Sequence, residues 1–103
     1  MIRGTTPTLT FKIKTDLDLN NVDKAQITFK SVNGMKEKTW NETDLGINPE
    51  EKTLVLTLSQ EDTLYFSVGE IDIQLRIKLN NDMVYASRIV TSTLDRILKE
   101  GVI

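Results

Sequence analysis

The two side-chain types that carry most enzymatic chemistry are absent, for the 103-residue chain contains no histidine and no cysteine. That removes Ser-His and Cys-His catalytic pairs, Cys/His zinc sites, disulfides and thiol redox centres together. What is left for acid-base work is carboxylate chemistry, for which Glu50-Glu51 and Glu61-Asp62 are the adjacent pairs. Both fall among turn-forming residues, where acids solvate and cap, so both read as structural. Asp16, Asp18 and Asn20 have the alternate spacing of the first ligands of a calcium loop. However, Asn21 stands where the sharp turn needs glycine, and Ile27 where a bidentate glutamate is required, so the stretch reads as a solvated loop. No spacing among the five glycines makes a phosphate-binding loop. The expectation is a protein that is not an enzyme, with no cofactor, no metal and no small-molecule ligand.

Charge and composition narrow the partners. Thirteen Lys and Arg against fifteen Asp and Glu give a net charge of -2, which offers no basic footprint for nucleic acid. At 39% hydrophobic and 27% charged, the chain is ordinary globular material of one-domain length. No apolar stretch approaches the ~20 residues of a membrane span, and Met1 to Thr10 lacks the apolar centre of a signal peptide. The expected location is the cytoplasm, or wherever an assembly carries the chain. Asn41-Glu42-Thr43 matches the glycosylation triplet, which without a secretion signal reads as coincidence.

Any site must be positioned by strands, because period-two alternation dominates the chain. Leu9, Phe11 and Ile13 face one way in the first run, and Ala25, Ile27 and Phe29 in the second, Lys24 to Ser31. A polar loop, Thr15 to Asp23, separates them. Asn33-Gly34 then signals a hairpin into a third strand, Met35 to Trp40. Leu45 and Ile47 suit a very short edge strand, and Leu54, Leu56 and Leu58 alternate again. Ser59 with Asp62 suits a capping box over a single helical turn. Glu70 to Leu79 is the expected central strand. Its partner, Met83 to Thr93, changes phase, and a β-bulge near Ala86 to Arg88 reconciles the two halves. The pattern predicts an all-β fold: one immunoglobulin-like antiparallel sandwich of about seven strands over residues 1–103, with a small barrel as the alternative.

The ends and one aromatic supply the candidate contact residues. Residues 1–7 read as an extended arm containing Arg3, Thr5 and Thr6. Residues 94–103 carry Leu98, Val102 and Ile103, which either fold back on the core or dock on another subunit. Trp40, at a strand end, either covers the open end of the sandwich or offers a contact face.

Several blocks in a fixed order carry a family likeness: Arg3-Gly4-Thr5-Thr6-Pro7-Thr8, Leu58-Ser59-Gln60-Glu61-Asp62-Thr63-Leu64, Ile73-Gln74-Leu75-Arg76, Ala86-Ser87 and Arg96 to Ile103. Together they resemble a family of similarly small proteins encoded among the structural genes of tailed phages and prophages of Gram-positive bacteria. They are also similar to the N-terminal module of upper baseplate proteins. The resemblance implies a virion or tail-associated assembly protein, present in the particle or in the host cytoplasm during assembly. Its partners would be other phage structural proteins or further copies of itself, and the likeness carries over no catalytic residues. From a different class, a soluble adaptor, assembly chaperone or carbohydrate binder using Trp40 and Tyr85 is the alternative.

Overall fold

The computed structural model describes residues 1–14 and 16–103; Thr15, at the start of the expected polar loop, lies outside the described residues. Eight strands and one short helix follow in the order β1 (Thr8–Lys12), β2 (Val22–Ser31), β3 (Glu37–Asn41), β4 (Gly46–Asn48), β5 (Thr53–Thr57), α1 (Gln60–Tyr65), β6 (Gly69–Leu79), β7 (Val84–Ala86) and β8 (Val90–Leu94). They form a three-stranded sheet, β1-β5-β4, and a five-stranded sheet, β3-β2-β6, whose outer neighbours on the β6 side are β7 and β8. All strand pairs are antiparallel. No strand pairs across the two sheets among the described residues, so the fold is an all-β sandwich and not a closed barrel. The chain changes sheet between β1 and β2, β3 and β4, and β5 and β6. In the lettering of immunoglobulin-type sandwiches this is B-E-D facing C′-C-F-G, with no strand A beside B among the described residues.

The alternating residues fill the space between the sheets. Ala25, Ile27 and Phe29 of β2, Leu54 and Leu56 of β5, and Ile71, Leu75 and Ile77 of β6 are essentially inaccessible to solvent. Burial of each of the larger side chains contributes about 1.5–3 kcal/mol, which a strand delivers every second residue. β6 is central as expected, with β2 on one side and β7 and β8 on the other.

The count rises from about seven strands to eight because the last expected strand is interrupted. Val84 to Ala86 pairs with β6 in one register, and Val90 to Leu94 pairs with it shifted by one residue. The expected bulge therefore lies at Ser87 to Ile89. Ser87 mends the ladder there: its N–H donates to the Leu75 carbonyl at 2.8 Å, and its hydroxyl oxygen accepts from the Leu75 N–H at 3.0 Å. The hairpin after β2 is wider than Asn33-Gly34 suggests. Ser31 donates to the Lys36 carbonyl at 2.9 Å, which leaves Val32 to Met35 as the loop, with Gly34 at φ +75°. The stretch expected as a solvated loop also carries structure, since Leu19–Asn21 is a 3₁₀ turn that buries Leu19 in the core.

Candidate contact surface

One end of the sandwich gathers the two chain ends around α1. The helix forms where Ser59 and Asp62 cap reciprocally. The Ser59 hydroxyl accepts from the Asp62 N–H at 3.1 Å, and the Asp62 carboxylate accepts from the Ser59 N–H at 2.9 Å. The helix C-terminal end is finished by a side chain from far away. Arg3 donates from Nε to the Phe66 carbonyl at 2.9 Å and from Nη2 to the Leu64 carbonyl at 3.0 Å, and Nη1 pairs with Glu100. A cation at carbonyls left open by the helix end is favourable both as a hydrogen-bond donor and toward the helix dipole.

This geometry corrects the reading of the arm. Residues 1–3 run parallel to the end of β8: Asp95 donates to the Met1 carbonyl at 2.6 Å, Arg3 donates to the Asp95 carbonyl at 2.9 Å, and Ile2 bridges Asp95. Gly4, at φ +75°, then turns the chain toward β1, and a Cβ there would stand 3.0 Å from Ile97. The arm is seated on its own domain, and Arg3 is engaged within it instead of reaching toward a partner. Thr5 and Thr6 remain exposed, although the Thr5 hydroxyl donates to the Ile2 carbonyl at 2.6 Å and its carbonyl accepts from buried Thr63 at 2.9 Å.

Residues 96–103 cross the same end without regular structure. Gln60 holds the backbone of Ile103 on both sides, its Oε1 accepting from the N–H at 2.9 Å and its Nε2 donating to the carbonyl at 3.4 Å. The side chains are not folded back on the core. Leu98 is 97% exposed, Ile103 is fully exposed and Val102 is exposed. The backbone is thus anchored while its apolar side chains face outward. Ile2, Val32, Met35, Tyr65 and Val68 add further exposed apolar surface at this end.

Of the two readings of Trp40, the structure sets aside the contact face. Trp40 is only 6% exposed, packed edge-on against Phe29 at 4.8 Å between ring centres, with the Lys38 ammonium 5.5 Å from its ring. It belongs to the core and offers no contact face. Trp40 and Tyr85 also lie on strands three places apart in one sheet, roughly 14 Å at the usual strand spacing, and do not converge on a ligand.

Of the adjacent acids, Asp62 is engaged through its carboxylate, whereas Glu51 is engaged through its backbone. Partial burial raises the pKa of Asp62, but the hydrogen bonds from Lys38 and Ser59, with the Lys38 charge, outweigh this and hold the carboxyl below its ordinary value of 3.8. Glu51 donates its N–H to the Asn48 side chain at 3.2 Å in the turn between β4 and β5. Asp18 caps the 3₁₀ turn by accepting from the Asn20 N–H at 3.0 Å. No group of three or more acidic side chains suited to a metal ion occurs among the described residues.

The contribution of Gln60 was not readable from sequence, because its partner lies 43 residues away. Compared with family models, curated protein sequences and solved structures, the chain matches none. No helix among the described residues is long and apolar enough to cross a membrane.

Proposed function

We propose that the chain is a non-enzymatic assembly module that acts through protein-protein contacts as a structural or tail/baseplate-associated component of a phage particle. The observation that carries this reading is the anchored apolar segment: Leu98, Val102 and Ile103 project outward from a stretch fastened by Gln60 at the Ile103 backbone and by Arg3 at the Glu100 side chain. A segment held in this way loses little conformational entropy when a partner covers it, so the apolar area it buries counts more fully toward binding. The missing His and Cys chemistry and the resemblance of the ordered sequence blocks to phage structural-region proteins support the same reading. The partners are other structural proteins of the particle or further copies of the chain.

Quantitative mass spectrometry of purified particles from a host carrying this sequence tests it. The expected result is the chain at a fixed ratio to the major structural protein. A variant combining Leu98→Asp, Val102→Asp and Ile103→Asp should keep its melting temperature and disappear from the particles. Particles that form normally without the chain would overturn the reading.

A further inference from the structure

The three-stranded sheet covers only part of the five-stranded one, and the uncovered part is a cleft of about 650 Å³ between β1 and the β7-β8 edge. Val90 makes the gap visible. It lies directly opposite Ile73 across the β6-β8 ladder, so the two side chains share the inward face, yet Ile73 is buried and Val90 is 61% exposed. Tyr85, opposite Ile77, shares that face and is also only partly covered. Leu9 and Phe11 form the other wall, and they too are half-buried.

The wall formed by β1 has an open backbone. Leu58 donates to the Pro7 carbonyl at 3.0 Å and Ile13 donates to the Lys52 carbonyl at 2.8 Å. In an antiparallel ladder these bonds alternate, so Leu9 and Phe11 bond to β5 while the N–H and C=O groups of Thr8, Thr10 and Lys12 point to the free side. No strand takes them up among the described residues. The chain's own arm does not fill the gap, since residues 1–3 are seated farther along, against Asp95.

The cleft is also charged in one sense. Lys12, Lys14 and Arg88 line it, no Asp or Glu does, and none of the three cations has a carboxylate partner among the described residues. The geometry points to a strand-acceptor groove: an extended segment of a different polypeptide, alternating apolar and acidic residues, adds to β1 as a fourth strand. Its backbone pairs with Thr8, Thr10 and Lys12, and its apolar side chains cover Val90 and Tyr85. The charge pattern disfavours a second copy's exposed segment as occupant, because Lys99 there accompanies Glu100. The groove is separate from the surface around α1, and this inference goes beyond the function proposed for that surface.

The test is fluorescence anisotropy with the full chain and labelled peptides of about nine residues, long enough to span a strand. One alternates valine with glutamate, a second alternates valine with lysine, and a third is the first with a central proline. The expected result is saturable binding of the glutamate peptide alone, with amide chemical-shift changes confined to residues 8–12 and 84–92. Combining Lys12→Glu and Arg88→Glu should weaken that binding by about tenfold or more and transfer preference to the lysine peptide. Thr10→Pro, which removes an edge N–H unused by the fold, should also abolish it. The aspartate variant at Leu98, Val102 and Ile103 should bind the peptide normally, which separates this inference from the assembly reading. Equal binding of the glutamate and lysine peptides, shifts elsewhere on the molecule, or no binding at millimolar peptide would overturn it.

Discussion

Lys38 of β3 and Asp62 of α1 meet with Nζ 2.5 Å from Oδ1, and the carboxylate that ties the helix to the sheet is the same one that caps the helix. Its side chain is only 12% exposed, so the pair is screened by solvent less than a free surface pair. One group therefore fixes both the start of α1 and the side of the sandwich on which it rests.

This arrangement predicts an acid-sensitive contribution to stability. The folded pKa of Asp62 lies below its ordinary 3.8, so its contribution is present above that value and is lost as pH falls through the lower folded one. Denaturant midpoints measured from about pH 5 down to pH 2 should show wild type well above Asp62→Asn at the upper end, the two converging below 3.8. A gap of constant width would contradict the coupling.

Arg3 should resist conservative replacement. Its three nitrogens reach the Phe66 and Leu64 carbonyls and Glu100 from one rigid fork, which a lysine ammonium does not reproduce. Arg3→Ala is expected to cost about 1–3 kcal/mol, with Arg3→Lys recovering less than half of it. Glu100→Gln, which loosens a half-exposed pair, should cost no more than about 1 kcal/mol. Hydrogen exchange over residues 96–103 should quicken in Arg3→Ala. Unchanged exchange would show that Gln60 alone secures the segment.

Much of the sandwich was legible because strands announce themselves locally. Leu54, Leu56 and Leu58, or Ile71 to Ile77, need only a period of two to declare a buried face. Even the bulge was visible, as a clash of phase between Val84-Ala86 and the residues after Ser87. The capping box was equally local. The contact surface was hidden for the opposite reason: Arg3 and Glu100 are 97 residues apart, and no pattern near either names the other. Which of its two roles Trp40 takes was hidden as well, because its burial depends on packing against Phe29 and not on its position at a strand end.

Ser87→Ala should expose the weak point of that bulge. Removing the hydroxyl leaves the Leu75 N–H without its acceptor beside a buried side chain, at a cost of about 1–3 kcal/mol. The Leu75 amide should exchange faster than its neighbours in β6. Ser87→Thr, which keeps the oxygen, should restore most of the protection.

As the sole tryptophan, Trp40 is a direct reporter of the core. Its emission should be blue-shifted in the native protein and unmoved by a panel of glycans, and should shift red only on unfolding. Trp40→Ala should cost about 3–5 kcal/mol, the range for deleting a large buried aromatic. A glycan-dependent change in its emission would reopen the carbohydrate reading.

The parallel contact between residues 1–3 and Asp95 has a mechanical consequence. Two segments that run the same way and are drawn apart along their length slide past each other in shear, so the bonds at Met1, Arg3 and Asp95 take the strain together and do not peel open one at a time. A module built in this way transmits tension between its two ends through a short hydrogen-bonded clasp, and the strands behind the clasp stay unstretched until it gives.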